Sequence, residues 1–394
     1  MLVLTNCRFI DFLTEDTDLE NGDIIIKEGI IESIVPCGTK IDGEYQTIDL
    51  AGQTLLPGFI DMHVHLFMTS NDYYTLEKTP PTSRAFECYN YAKNLLNYGY
   101  TTVRDVGDDT HAPTVALRNA IEAGIIDGPR VSPSAGTLCP REAGVEVLEY
   151  IIDYVNGATD MRQKVRSHFQ NGVDFIKLYG SGSMMAVGSE PGLRILEEDE
   201  IKEAVKMAKR KQSYVAIHAH GAEAIDTAVK CGVRTVEHAS LISNDTVQYM
   251  KQLGEEVGLV PTMAAFSELV EGDQTDFFSK RANRLLKTII ASLSNAYQNG
   301  LLIGWGTDIS LPAFLEDPFV EFKFRSEQLK YSNEDILKQL TINSAKLMKK
   351  EQEIGTIKEG KLADLIVIEG DPVKDIHAMY QTPSHIIKDG KVVR

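Results

Sequence analysis

The chain has 394 residues, of which 43% are hydrophobic and 25% are charged, which is typical of a globular protein with a large core. Its formal net charge of −17 argues against nucleic acid or an anionic membrane surface as the main partner. No apolar run approaches the roughly 20 residues of a membrane-spanning helix, and the first residues lack the pattern of a signal peptide. The five cysteines are scattered and form no CxxC pair, so we expect reduced thiols and a cytoplasmic protein.

Both ends of the chain have the pattern of short strands separated by turns. Residues 1–56 contain β-branched runs broken at Asn21-Gly22, Glu28-Gly29 and Ala51-Gly52. The C-terminus repeats this pattern in ADLIVIEGDP and HIIKDGKVV. We therefore predict that residues 1–57 and 351–394 pair into one small composite β-sandwich domain.

Strand-like and helical runs alternate between residues 58 and 350. One of the predicted helices is EVLEYIIDYV, residues 146–155. The strand candidates are 59–64, 100–106, 130–135, 173–179, 214–220, 234–239, 258–263 and 301–308. Eight βα units in about 300 residues match a (β/α)8 TIM barrel, so the predicted fold class is α/β. A doubly wound open sheet is the alternative, which we disfavour because no glycine fingerprint follows a first strand.

Histidines recur where the predicted barrel strands end, which is the edge that carries function in such barrels. Two pairs lie two residues apart, and alternation along a strand places both members of a pair on one face. The residues at these ends are His63, His65, His218, His220, His238 and Asp308. Each alone has an ordinary structural explanation, such as a buried rim residue or a helix cap. Together they predict a metal centre, because imidazole and carboxylate bind zinc and similar ions.

Lys177 lies in the fourth predicted strand, between Phe175 and Tyr179. An ammonium group cannot bind a cation, and its charge is costly to bury. If the amine reacts with CO₂, the carbamate becomes an anionic ligand that can bridge two metals, which predicts a two-metal site with one shared, activated hydroxide. The alternative is a lysine on the outside of the barrel, with its stem along apolar surface.

The motifs HVHL, FIKLYGSG, AIHAHG, TVEHAS and WGTD, with the tail GTIKEGKLADLIVIEGDP, resemble the amidohydrolase superfamily of metal-dependent hydrolases over essentially the whole chain. Within it, TTVRDVG, KLYGSG and HAHG are most similar to one branch. That branch contains metal-dependent Xaa-Pro dipeptidases, arginine- or lysine-releasing carboxypeptidases and ochratoxin-type amide hydrolases. Imidazolonepropionases are more distant relatives.

The resemblance implies ligands for two divalent ions, expected to be zinc. In chain order they are His63, His65, Lys177, His218, His238 and Asp308. The first two histidines and the aspartate would hold one ion, and the other two histidines the second. The lysine, as N6-carboxylysine, would bridge them.

The resemblance also implies roles beyond binding metal. Asp308 would act as general base and then general acid, and His238 is counted with it among the catalytic residues. Tyr179 would hydrogen-bond the scissile carbonyl or the developing oxyanion, or else simply pack at the barrel mouth. His220 would contact substrate or order a ligand rather than bind metal. Arg141 is the candidate for binding a substrate carboxylate.

Two positions depart from the family pattern. Dipeptidase relatives usually carry a histidine in the loop after the third strand, whereas here SAGTLCPREAG offers only Arg141. Either this arginine replaces the histidine, or the choice of substrate has changed. Gly221 stands where single-metal deaminases and imidazolonepropionases carry a glutamate, which argues against their chemistry.

Other residues after strand ends bear on the substrate. Arg104 and Arg194 could recognise a carboxylate, although Arg104 is equally well explained as a structural ion-pair residue. Met184 and Met185 suggest an adaptable apolar wall, and plain packing explains them as well. We therefore favour a substrate with a bulky or apolar group on one side of the amide and a free carboxylate on the other.

The expected function is hydrolysis of a dipeptide or an N-acyl amino acid by a metal-bridging hydroxide. The alternatives are a cyclic amide or lactone hydrolase, a ring deaminase, and a catalytically silent scaffold, which would normally have lost metal ligands. We expect a homo-oligomer that acts on small amides or peptides and has neither a nucleic-acid nor a membrane partner.

Overall fold

The structure is a computed structural model that describes residues 1–70, 72–142, 146–187, 190–272 and 275–394. The chain divides into two compact units. The first contains Met1–Asp61, Lys93–Thr102 and Tyr331–Arg394. The second contains Met62–Ala92 and Val103–Lys330.

The strands are numbered in chain order. They are β1 (Leu2–Arg8), β2 (Asn21–Lys27), β3 (Ile30–Val35), β4 (Gln46–Asp49), β5 (Thr54–Pro57), β6 (Phe59–Val64), β7 (Tyr100–Asp105), β8 (Arg130–Pro133), β9 (Thr137–Cys139), β10 (Ile152–Tyr154), β11 (Ile176–Tyr179), β12 (Val215–Ala219), β13 (Thr235–His238), β14 (Gly258–Val260), β15 (Leu365–Ile368), β16 (His385–Lys388) and β17 (Lys391–Val392).

The α-helices are numbered in the same way, and none within the described ranges is long and apolar enough to cross a membrane. They are α1 (Tyr73–Lys78), α2 (Pro81–Asn97), α3 (Pro113–Glu122), α4 (Gly157–Gln170), α5 (Glu198–Arg210), α6 (Ala222–Cys231), α7 (Asn244–Leu253), α8 (Met263–Glu271), α9 (Phe277–Gln298), α10 (Leu311–Glu316), α11 (Val320–Lys323), α12 (Asn333–Lys338) and α13 (Ser344–Leu347). Short 3-10 helices span Asp11–Leu13, Glu146–Ile151, Gly254–Glu256 and Ile376–Met379, and π-helical turns span Phe324–Gln328 and Gln339–Asn343.

Strands from both ends of the chain share one eight-stranded sheet, which we call the terminal sheet. Its order is β17-β16-β15-β5-β1-β2-β3, with β4 pairing to β1. The two ends meet where β5 runs antiparallel to β15. Alternate residues such as Leu2 and Leu4, or Leu365 and Val367, are buried on one face, as the period of a strand requires. That this sheet belongs to a separate β-sandwich domain stays a prediction.

A second set of strands is parallel and positions the candidate site. Six of them form a sheet in the order β10-β9-β11-β12-β13-β14, and β6-β7-β8 form another. Helices α5, α6 and α7 follow β11, β12 and β13 in turn, which is the βα alternation that the sequence predicts. The register sets Tyr179 opposite His218, and Ala219 opposite His238. Because parallel strands end at a common edge, these side chains lie together.

Two of the predicted elements were wrong in detail. Residues 301–308 do not form a strand; only Ile303 makes an isolated parallel bridge, to Leu259. Gly306 packs so tightly that a Cβ there would lie 2.6 Å from Val260 Cγ1, and glycine weakens a strand. Residues 146–155 are not an α-helix but a 3-10 turn followed by β10, in which Ile152 pairs with Thr137 of β9. The β-branched isoleucines there favour the extended state.

Candidate metal centre

The residues predicted from the strand ends lie together in two groups of metal-ligand type. The first ligand group is His63, His65 and Asp308, and the second ligand group is His218, His220 and His238. Within each group the possible ligand atoms lie within 4.8 Å of one another. The groups adjoin, since the ring centroids of His63 and His238 are 4.8 Å apart.

In the first ligand group, two imidazoles turn the same nitrogen toward the carboxylate. Asp308 Oδ1 lies 3.6 Å from His63 Nε2 and 3.6 Å from His65 Nε2. The other ring nitrogen of each histidine makes a hydrogen bond. His63 Nδ1 lies 2.8 Å from Glu237 Oε2, and His65 Nδ1 lies 2.8 Å from the carbonyl oxygen of Gly107. Because these oxygens accept hydrogen bonds, each Nδ1 is the donor and each Nε2 keeps its lone pair for a metal.

In the second ligand group, hydroxyl groups position two of the rings. His220 Nδ1 contacts Ser240 Oγ at 2.8 Å, and His238 Nδ1 contacts Thr262 Oγ1 at 2.7 Å. His218 Nε2 is buried and has no hydrogen-bond partner within the described residues. A buried polar nitrogen normally has a partner, and a metal ion would supply one here. The residues present therefore fit a metal ion.

All five histidines are held neutral at physiological pH, which metal binding requires. Burial, followed by the charge of Lys177, lowers the pKa of His63 to about 4. Burial lowers the pKa of His220 to about 3, with His63 as the second cause. Burial also lowers the pKa values of His65, His218 and His238 well below the usual value.

Lys177 lies in β11 and lines the same cavity as both ligand groups. Its side chain is buried, and Nζ donates to the carbonyl of Val106 at 3.2 Å. Burial lowers the pKa of Lys177 to about 8, with the carboxylates of Glu237 and Asp308 acting in the opposite direction. A fraction of the amine is therefore unprotonated at neutral pH, the form that reacts with CO₂. Its carboxylation stays a prediction.

The backbone is strained at two of the candidate ligands. His238 has φ of 66°, the next residue Ala239 has φ of 49°, and Asp308 has φ of 53°. Each such left-handed non-glycine residue costs of order 1–3 kcal/mol, and such residues cluster at functional sites. A hydrogen bond from Asp308 N to the carbonyl of His63, at 2.8 Å, helps to hold the turn.

The sequence did not identify Glu237, whose carboxylate contacts His63 of the first ligand group. This buried carboxylate accepts from Arg104 Nη2 at 2.7 Å as well as from His63. Burial raises the pKa of Glu237, but the charge of Arg104 and the hydrogen bond with His63 outweigh it and lower this pKa to about 2. Arg104 also donates to the carbonyl of Met62, so it is a structural ion-pair residue. The register sets Glu237 opposite His218 of β12, a pairing that no local pattern in the sequence shows.

A cavity of about 310 Å³ opens onto these residues. Its apolar wall is formed by Phe67, Met68, Ile151, Met184, Met185, Met263, Phe266, Leu269 and Ile289. His220 and Tyr179 line it too, and the Tyr179 ring stacks on His218 with the centroids 4.1 Å apart. Burial raises the pKa of Tyr179, so its phenol is neutral and able to donate a hydrogen bond.

The arginines considered for carboxylate binding lie elsewhere. Arg141 is 74% exposed, with Nη1 3.7 Å from a Glu149 carboxylate oxygen and its guanidinium over the Tyr154 ring. Arg194 pairs with two glutamates, at 3.0 and 3.1 Å. Neither lines the cavity within the described part of the chain, and the role of Arg141 in binding substrate stays a prediction.

Gly221 is packed too closely to carry a larger residue. A Cβ at this position would lie 2.0 Å from the carbonyl oxygen of Gly192. The glutamate expected there in a deaminase therefore cannot be accommodated unless the backbone around Gly192 moves.

Parallel strands that end in buried imidazoles and a carboxylate define a candidate metal site in an α/β fold. The chain belongs to the amidohydrolase family, whose family model matches residues 54–393. Ochratoxinase of Aspergillus niger is 25% identical, over 95% of this chain and 83% of its own length. The resemblance predicted from the motifs is confirmed.

Solved structures of related proteins support the same family assignment. A prolidase in complex with N-methylphosphonate-L-proline is 27% identical with a TM-score of 0.88, covering 100% of this chain and 99% of that chain. A Xaa-Pro dipeptidase with bound methionine in the active site is 26% identical with a TM-score of 0.87, over 100% and 99%. The chain is a hydrolase that acts on C–N bonds of amides or peptides.

Proposed function

We propose that the protein is a two-metal amide hydrolase that cleaves a dipeptide or an N-acyl amino acid. The observation that carries the proposal is the adjacency of the two ligand groups, with Lys177 lining the same cavity. The similarity to a prolidase and a Xaa-Pro dipeptidase supports a peptide-like substrate.

The expected ions are two zinc ions. The first ligand group would hold one, His218 and His238 the other, and N6-carboxylated Lys177 would reach both. When bound, the ions supply an activated water and polarise the scissile carbonyl.

The chain's own residues would carry the proton and the developing charge. Asp308 accepts a proton from the attacking water and passes it to the leaving nitrogen, so that the amine departs neutral. Tyr179, with its neutral phenol, donates a hydrogen bond to the carbonyl oxygen as negative charge builds up there. His238 Nδ1 lies 4.0 Å from Asp308 Oδ2, and we include His238 among the proposed catalytic residues. His220 would contact the substrate.

A second ligand arrangement has its own support. The geometry groups His220 with His218 and His238, so His220 is a rival to Lys177 for the second ion. Metal content separates the two: Lys177→Ala loses metal if the lysine is a ligand, and His220→Ala loses it if the histidine is one. Lys211→Ala, an exposed lysine after α5, is the matched control.

We also propose that the parallel strands close into the (β/α)8 barrel at residues 58–350. The two parallel sheets are linked by a hydrogen bond from Asp174 N to the carbonyl of Pro133, at 2.9 Å. On the other side, Met62 N donates to the carbonyl of Trp305 at 2.9 Å. The composite β-sandwich domain, 1–57 plus 351–394, would be separate. Cytoplasmic location and homo-oligomeric assembly are further expectations.

Elemental analysis of protein produced with zinc and bicarbonate tests the proposal, together with a panel of possible substrates. We expect about two metal ions per chain and hydrolysis of dipeptides or N-acyl amino acids. One ion per chain with activity on lactones, cyclic amides or aminated rings would favour the alternative enzymes. Absence of bound metal despite the zinc supply would overturn the two-metal proposal. The crowding at Gly221 already weighs against the deaminase.

A further inference from the structure

The charged groups that line the cavity are mostly acidic. Among the described residues, Glu268 and Asp308 are its carboxylates, Lys177 is its one lysine, and no arginine lines it. The positions outside the described ranges contain no lysine or arginine. A substrate carboxylate therefore has no arginine partner within this cavity, whereas a substrate cation has an available carboxylate.

Glu268, in α8, is not engaged by a basic residue. No ion pair to it forms within the described part of the chain. Its hydrogen bonds are long: Oε1 accepts from Ser310 N at 3.3 Å, and Oε2 from Ser310 Oγ at 3.5 Å. Ser310 already caps α10 through a hydrogen bond from Ala313 N to its own hydroxyl, so helix capping does not account for the glutamate.

The surroundings of Glu268 strengthen any contact that a ligand would make. It shares the cavity wall with apolar residues that include Met263, Phe266, Leu269 and Ile289. A carboxylate that has lost water to such a wall gains most from a charged hydrogen-bond donor. The contact with Ser310 places Glu268 next to the turn that carries Asp308, two residues earlier in the chain.

We infer that Glu268 is a specificity-determining residue that binds an ammonium or guanidinium group of the substrate. The inference rests on the proposed amide hydrolase function and narrows it to amides that carry a cation. Two sources share this chemistry: the free α-ammonium group of a dipeptide, and the side chain of a lysine or arginine residue. N-acyl derivatives of neutral amino acids lack both and are the disfavoured class.

Two matched substrate pairs separate these sources on the zinc-loaded full chain. Alanyl-leucine against propionyl-leucine tests the α-ammonium group, and Nα-acetyl-lysine against acetyl-norleucine tests the side chain. The measured quantity is the ratio of kcat/KM for the cationic member to that for the neutral member. One charge-assisted hydrogen bond predicts a ratio of about 10 to 100 for at least one pair.

Glu268→Gln is the informative variant, because it keeps the shape and removes the charge. We expect it to lower the favoured ratio about tenfold or more, and Glu268→Lys to invert the preference. The matched control is Glu271→Gln, an exposed glutamate at the end of the same helix, which should leave the ratio within about twofold. Ratios near one in the wild type, or a preference that survives in Glu268→Gln, would overturn the inference.

Equilibrium binding keeps this test separate from the proposed function. If no member of either pair is hydrolysed, the amide hydrolase proposal fails for these substrates. Calorimetric titration of the same four compounds then still decides the role of Glu268. Tighter binding of a cationic member to wild type than to Glu268→Gln supports the inference, and equal binding overturns it.

Discussion

The terminal sheet and the candidate metal centre bury opposite kinds of side chain. In the terminal sheet, alternate residues such as Leu4, Ile24 and Leu365 belong to one buried aliphatic cluster. At the ends of the parallel strands, His63 and Lys177 are equally buried, and each is held by a polar partner. One region gains stability from the apolar area that it removes from water, and the other gives up stability to hold the candidate metal ligands in place.

The difference teaches that burial alone does not indicate what a residue is for. Buried imidazoles and strained turns at His238 and Asp308 are unfavourable in isolation, and they persist because neighbouring groups fix them. Substitutions in the two regions should therefore separate stability from metal binding and turnover.

The largest effect is expected at Glu237, where the two properties meet. Glu237→Gln leaves buried Arg104 without its counter-charge, and we expect a loss of about 3–5 kcal/mol in the free energy of unfolding. Because Glu237 also orients His63, metal affinity should fall about 10- to 100-fold. Denaturant unfolding and metal titration measure the two effects.

A second buried pair provides the control for Glu237. Glu321 accepts from Arg325 Nε at 2.6 Å, and neither residue lines the metal-centre cavity. Glu321→Gln should destabilise the protein to a similar extent and keep the affinity for metal. Equal loss of metal in both variants would mean that Glu237 acts only through general stability.

In the terminal sheet we expect loss of stability without loss of chemistry. Leu4 is fully buried, so Leu4→Ala should cost roughly 2–5 kcal/mol in unfolding free energy. The metal content and kcat/KM at 25 °C should stay within about twofold of wild type. Ile30→Ala, at a position that is 39% exposed, is the milder control. A large fall in kcat/KM for folded Leu4→Ala would contradict the separation.

At Asp308, in the candidate metal centre, we expect loss of turnover without loss of folding. Asp308→Asn removes the proposed proton acceptor, and turnover should fall by roughly 10² or more, about 2.7 kcal/mol in activation free energy. Asparagine tolerates the left-handed backbone, so folding and much of the metal should be kept. Steady-state kinetics and elemental analysis check this, with exposed Asp127→Asn as control. Nearly intact turnover would remove Asp308 from its role.

The smallest effect concerns acid stability in the first unit. Burial raises the pKa of Glu15, but hydrogen bonds from Lys358 and Thr356 outweigh it. The pKa therefore falls to about 2, below its ordinary value of 4.5. Its stabilising contribution is therefore full above pH 4.5 and is lost as the pH falls toward 2. Because the carboxylate is partly exposed, we expect less than about 1 kcal/mol. The difference in unfolding free energy between wild type and Glu15→Gln should shrink over this range; a constant difference would contradict it.

The sequence predicted the βα alternation and the residues that meet at the strand ends, because both depend on local periodicity. Alternation along a strand is enough to place His63 with His65, and His218 with His220, without knowledge of the fold. The predicted strand at 301–308 was wrong, and Gly306 in it packs against Val260, a contact that no local pattern shows.

The contacts that hold the ligands could not be predicted in the same way. Arg104 and His63 meet Glu237 across separations of 133 and 174 residues. The chemistry of Arg104 suggested a carboxylate partner, but no local pattern identified Glu237 as that partner. Which charges line a cavity is likewise a property of the assembled structure, and for that reason Glu268 was not singled out from the sequence.

The close approach of Gly192 to Gly221 also limits how this protein can evolve. A glutamate at position 221 would collide with backbone rather than with a side-chain tip, and no rotamer relieves a clash at Cβ. The segment around Gly192 would have to be rebuilt before the acidic residue became tolerable. Acquisition of deaminase chemistry by this lineage therefore requires changes in a fixed order, with the loop altered first and the glutamate second.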